Sequence, residues 1–172
     1  MSLFGSFHVL LPVFAKDILQ TGASGFGYLM AAHGTGAFLG ALTLASTGNS
    51  PHRRKFFYGG LFGWNGMMIV FAYSHVYWLS AATLVVAGFC MMFFFATANT
   101  GVQSRVPDAL RGRVMGIYSF AFIGLSPFGS LLAGWLAQVT SAPFTVTLGA
   151  SICLIAGLIG MRRMTQQPEG AK

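Results

Sequence analysis

Apolar residues run through this chain in six stretches separated by short polar turns. A helix needs about 20 mostly apolar residues to cross a bilayer. Stretches at about residues 2–19, 25–46, 56–75, 78–101, 114–137 and 143–161 approach or reach that length. The pattern predicts an all-α membrane protein, a six-transmembrane-helix bundle over residues 1–164. A polar tail over 165–172 follows, and is expected to be disordered. The first stretch is the weak one, because only about 14 residues precede Lys16. Either that span is cut short at its start or the chain begins inside a longer protein.

Composition agrees with the pattern. Charged residues make up 8% and hydrophobic residues 55%, and the mean hydropathy is +0.68, far from the roughly 25% charged content of soluble domains. No basic region precedes the first apolar core, so no cleavable signal peptide is expected.

The net charge of +7 sharpens the topology. Its cations sit in clusters between apolar runs, not along one soluble face, so a nucleic-acid partner is not expected and a lipid bilayer is. Arg53, Arg54 and Lys55, then Arg105, Arg111 and Arg113, then Arg162, Arg163 and Lys172 fall on one side, whereas the alternate loops hold Lys16 alone. The positive side is expected to be cytoplasmic, with both termini on it. Tyr77, Trp78 and Trp135 then fall near the external boundary, where amphipathic rings are favoured. Cys90 and Cys153 lie within apolar runs without metal-ligand spacing, so the expectation is packing residues, no disulfide framework, no metal and no cofactor.

Many of the 23 glycines lie inside the spans. In lipid, helices gain little by burying apolar surface, and small residues that admit close backbone approach carry the packing. Gly36 with Gly40, Gly112 with Gly116, and Ser130 with Gly134 have the required i, i+4 spacing.

No Asp, Glu, Lys or Arg falls near mid-depth of a span, so this segment offers no acidic coupling residue; if the chain takes part in proton-driven transport, the titrating carboxylate is expected in sequence not present here. The deep polar residues are His33, Asn65 and Asn99. At 1.5 Å per residue, His33 lies about 12 Å from the outer end of its span and Asn65 about 14 Å from the inner end of its own. Both depths suit a midplane substrate pathway, and equally an interhelical hydrogen bond. Asn99 and Gln103 are one turn apart on one face, placed to brace the end of their helix or to line the pathway.

The turn that follows has its own logic. Pro107 ends the preceding helix, Asp108 is suited to cap the next one, and Gly112 permits close approach of Arg111 and Arg113. Further on, Gly124, Pro127 and Gly129 interrupt a span and would permit a bend.

These segments carry a resemblance. Asn99-Thr-x-x-Gln-x-x-Val-Pro-Asp-x-Leu-Arg-Gly-Arg-Val-Met-Gly116 resembles the junction between the tenth and eleventh helices of the major facilitator superfamily, most closely its bacterial drug and siderophore exporters. Leu11-Pro-Val-Phe-Ala-Lys-Asp-Ile-Leu19 is similar to the end of the seventh helix, and the segment from Gly25 to Gly40 to the eighth. Gly124-Leu-Ser-Pro-Phe-Gly129 is similar to a Gly/Pro-rich seam of antiporter-type members. One departure is the loop Ser46-Thr-Gly-Asn-Ser-Pro-His-Arg-Arg-Lys55, which keeps the family's basic residues but lacks its acid.

The resemblance implies the C-terminal half of a transporter in a bacterial inner membrane. Such a half would rock against a missing N-terminal six-helix half to export a small hydrophobic or amphipathic molecule. The loop at Asp108, Arg111, Gly112 and Arg113 would then belong to a cytoplasmic latch, and Phe93 to Phe95 would offer apolar contacts. A homodimeric six-helix transporter or channel, with a second copy as partner, and a non-transporting scaffold or gene remnant are the rivals. An intramembrane protease is not: Gly22-Ala-Ser-Gly25 and Ala32-His-Gly-Thr-Gly36 match that chemistry in type. However, nine residues of one helix separate Ser24 from His33 by about 13.5 Å, against the roughly 3 Å a nucleophile and base require.

Overall fold

Without water to bond, a chain in hydrocarbon must satisfy its backbone internally, and helix is the local way to do so. The computed structural model describes residues 7–47 and 53–166, with side chains through residue 163, and no strand occurs among them. The helices are α1 (Phe7–Val13), α2 (Gly22–Thr47), α3 (Arg53–Ala72), α4 (Tyr77–Gln103), α5 (Asp108–Ser119), α6 (Ser126–Val139) and α7 (Ala142–Gln166). Residues 2–6 of the first apolar stretch, residues 48–52 of the loop lacking its acid, and residues 167–172 of the tail lie outside the described residues.

Two π-helical segments interrupt the regular ladder, Phe14–Ile18 after α1 and Phe120–Gly124 between α5 and α6. Each lies beside a proline, Pro12 inside α1 and Pro127 in the first turn of α6. A proline has no N–H to give to the preceding turn, so the ladder must shift or break near it. The Asp108–Val139 stretch remains one span through its π segment.

Four stretches among the described residues are long and apolar enough to cross a membrane: Gly22–Thr47, Tyr77–Gln103, Asp108–Val139 and Ala142–Arg163. With 20 residues α3 has the length, but its cationic first turn, its glycines and Asn65 dilute its apolarity.

α4 is the centre of the bundle. It packs against α2 on one side and α3 on another, α7 packs on α3, and α1 bridges to α6. The α2–α4 crossing is parallel and backbone-close: the Val85 carbonyl lies where a Cβ on Gly36 would stand, the Phe89 carbonyl crowds Gly40, and the His33 carbonyl occupies the Cβ position of Gly88. Antiparallel to it, α3 sets Gly60 against Cys90 and Phe94. Leu29, Leu84, Phe14 and Phe71 fill the space between, with Phe14 and Phe71 rings 4.8 Å apart.

The turn from α3 to α4 is held by buried hydroxyls. Ser80 Oγ donates to Ser74 Oγ at 2.9 Å, Ser74 Oγ donates to the Val76 carbonyl at 3.2 Å, and Thr83 Oγ1 donates to the Ser80 carbonyl at 2.8 Å. No hydroxyl in this chain of bonds lacks a partner, as burial requires.

The glycine pairs separate into two kinds. Gly36 and Gly40 mediate a crossing, whereas Gly112, Gly116 and Gly134 face open space, so equal spacing produces packing only where a helix lies opposite. Gly88→Ala should therefore destabilise the fold by about 1–3 kcal/mol, the range for overpacking. Gly112→Ala should be neutral or stabilise by up to about 1 kcal/mol through helix propensity. Thermal unfolding in detergent micelles, followed by tryptophan fluorescence, compares the two; equal midpoints would contradict this packing.

Candidate functional site

A groove of about 400 Å³ opens between α4 and the α5–α6 span, within the size range of small-molecule sites. Helical spacing creates it. Met92, Phe95, Ala96 and Asn99 recur along one side of α4, and Met115, Tyr118, Ser119, Phe122 and Ile123 answer from α5 and the π segment. The Phe95 and Phe122 rings meet edge-on, 4.9 Å apart at 77°, and Tyr118 stacks on Phe122 at 5.6 Å. Behind them the buried Trp64 ring stands 5.6 Å from Phe95.

The polar groups are few and uncharged. Gln103 Nε2 donates to Asn99 Oδ1 at 3.2 Å, which fixes the Asn99 amide at the groove's edge. Tyr118 and Ser119 add hydroxyls. Apolar walls with a few placed polar groups are suited to a neutral amphipathic guest. No cluster of His, Cys, Asp or Glu able to hold a metal occurs among the described residues.

Of the deep polar residues singled out in the sequence, only Asn99 lines this groove. His33 is buried on α2, its ring against Phe7 and His8 of α1. Asn65 is buried on α3, where its Nδ2 donates to the Leu61 carbonyl of its own helix at 2.8 Å. His33 thus faces α1 and Asn65 bonds within α3, so neither reaches the groove. Phe94 faces Phe57 of α3, while Phe95 faces the groove.

The basic turn differs from expectation in two respects. Pro107 occupies the N-cap position of α5 with no side-chain cap, and Asp108 is the first helical residue. Proline there leaves the acid one position late for capping, but near the positive helix end. It pairs instead with Arg111, Nη2 to Oδ1 2.6 Å, on an exposed surface. Gly112 admits no close approach, since nothing lies where its Cβ would be. Arg105, Arg111 and Arg113 are all exposed. In the bend, Gly124 closes the π segment, Pro127 is exposed and Gly129 is buried.

Tyr118 and Phe122 were missed by reasoning on polar residues at mid-depth. Their signal was available in the i, i+4 spacing of two aromatics one face away from Gly124.

A model of the transmembrane secretion effector family matches residues 3–171. The chain is similar to the enterobactin exporter EntS of Escherichia coli O1:K1 / APEC, 24% identical over 174 residues. It is also similar to the EntS proteins of Escherichia coli O81 (strain ED1a) and Shigella boydii serotype 18 (strain CDC 3083-94 / BS512), each 26% identical over 185 residues. These matches take in 98% of this chain but 42% of each relative, so the chain spans less than half their length. No solved structure matches it.

Because the Asp108–Arg111 pair is exposed, Asp108→Asn should change stability by less than about 1 kcal/mol. Thermal unfolding in detergent checks this; a larger loss would give the pair a structural weight that its exposure denies.

Proposed function

This chain belongs to the transmembrane secretion effector family of the major facilitator superfamily, and on that premise we propose that it forms the C-terminal half of an exporter. In this reading it works by alternating access in a bacterial inner membrane, both termini cytoplasmic, moving a small neutral or amphipathic molecule outward. Membership of a transporter family points to transport and away from enzymatic chemistry.

The observation that carries the reading is the asymmetry of burial. In the α5–α6 span Gly129 alone is buried, and Ile117, Phe120, Ile123, Phe128, Leu131 and Trp135 are all largely exposed. A span bordering a groove on one side and so little covered by its own bundle suits a helix that lines a pathway between two halves. The relatives carry the additional length such a second half requires.

The roles follow from position. Phe95, Phe122 and Tyr118 supply ring faces to the guest, and Asn99 with Ser119 orient it through hydrogen bonds. The weakened ladder at Phe120–Gly124, next to Pro127, lets the lower half of the span swing while the upper half stays docked on α7. The exposed cations at the α4–α5 turn hold that end at the cytoplasmic surface.

Efflux of N-phenyl-1-naphthylamine, a neutral amphipathic fluorophore, from cells expressing the full-length gene product tests the reading. Phe122→Ala should lower the initial rate about tenfold, the loss expected for roughly 1.4 kcal/mol of binding. Pro127→Ala should lower it by at least about threefold through the bend, with membrane insertion unchanged. Unchanged rates in both variants would remove the groove and the bend from the pathway. Crosslinked dimers of the 172-residue chain alone, active in vesicles, would favour the homodimeric reading instead.

A further inference from the structure

We propose that His8 and His33 form one proton-binding site at the junction of α1 and α2. His33 is 5% exposed. Its Nε2 is buried and has no hydrogen-bond partner among the described residues. The His8 ring stands edge-to-face with it, centroids 5.4 Å apart at 88°, and the Phe7 ring, 4.0 Å from His8, meets it from the same side at 5.2 Å.

The helix around His33 leaves its ring little alternative. Its backbone carbonyl is pressed against Gly88 of α4, which fixes the height and rotation of α2 at this residue. With the backbone held, the side chain can answer a change of charge only by turning toward α1. At this separation a ring rotation brings a nitrogen of each imidazole within hydrogen-bond range. One proton added to Nε2 of His33 makes an imidazolium whose N–H can donate to the lone pair of a neutral His8. His8 itself is exposed on α1 while His33 is buried, so a second proton would set two cations side by side, which repulsion and the burial of His33 oppose. The pair therefore shares its first proton and takes a second only at lower pH.

Among the described residues no other titratable group is placed to share it. Cys90 of α4 lies against Gly63 of α3, away from α2. Lys16 and Asp17 are at the end of α1 that meets Thr21, roughly 17 Å from His33 at 1.5 Å per residue along α2. Tyr77 reaches α2 at the Gly25 carbonyl, also near that end. No carboxylate lies at mid-depth in the described spans, and these two imidazoles are the pair placed to carry a proton there. Protonation would tighten α1 on α2, and deprotonation would release it. Linking that step to export rests on the reading above; the proton site itself does not.

The test uses the full chain labelled with 15N-histidine in lipid nanodiscs, with His52→Gln and His75→Gln simplifying the spectrum. Nitrogen shifts of His8 and His33 are followed against pH. The expected result is a coupled titration in two steps separated by more than about one pH unit. His8→Gln should shift the His33 step by a similar amount. Independent single-site curves, each indifferent to replacement of the other histidine, would overturn the site. The unmutated pair reports by itself, so a poorly folding variant leaves the test intact. A second arm measures N-phenyl-1-naphthylamine efflux by the full-length protein at two pH values. Loss of the pH dependence in His33→Gln supports the link to transport, and an unchanged dependence overturns it. Coupled titration with no efflux at any pH would retain the proton site and remove the export reading.

Discussion

Backbone contact between α2 and α4 is the constraint on which the remaining structure depends. In lipid an exposed leucine and a buried one have nearly the same surroundings, so apolar area does not choose a helix partner. Close approach does, because it multiplies dispersion contacts that lipid chains cannot supply as well. Gly36 and Gly88 are reciprocal: each admits a carbonyl from the other helix into the space of a missing Cβ. That contact sets the register of α4, and α4 then fixes α3 through Gly60 and Gly63. α7 follows by packing on α3, where Gly157 meets Leu61.

A close-packed group of helices results, and the α5–α6 span, joined to it by α6 packing on α7 and α1, is little covered by it. The same chain thus contains two kinds of packing. The first is built on buried hydroxyl bonds and glycine crossings; the second is crossed by a π segment beside Pro127 and buries little but Gly129. The groove lies on the boundary between them, with Asn99 on the close-packed α4 side and Tyr118 and Phe122 on the side of the π segment. In the export reading proposed above, a site that spans such a boundary would change shape when the span bends.

Much of this was legible in the sequence and part was not, for identifiable reasons. Long apolar runs showed an all-α membrane chain, since bilayer thickness acts on single segments, and the family was legible in motifs such as the 99–116 junction. The Gly36–Gly40 pair was readable as a crossing, but Gly112–Gly116 has the same spacing and crosses nothing, because spacing records a capacity and not the presence of a neighbour. Asp108 looked like a cap and is the first helical residue, an offset of one position produced by Pro107. His33 was recognised as deep and polar, whereas His8 was not. Its importance depends on α1 folding back antiparallel beside α2, a tertiary fact that no local pattern contains. The groove was missed for the same reason, as half its wall comes from a span 20 or so residues further on.

The central claim is that the α4–α5 groove opens to an aqueous pathway and not to lipid. Its most direct test is thiol accessibility at Ser119, which lines the groove and is exposed. With Cys90 and Cys153 replaced by alanine, Ser119→Cys in membrane vesicles of the full-length protein is treated with a charged, membrane-impermeant methanethiosulfonate and, separately, with a lipid-soluble maleimide. The account predicts modification by the charged reagent, slowed by N-phenyl-1-naphthylamine. Reaction with the lipid-soluble reagent alone would place the groove against the bilayer and contradict it.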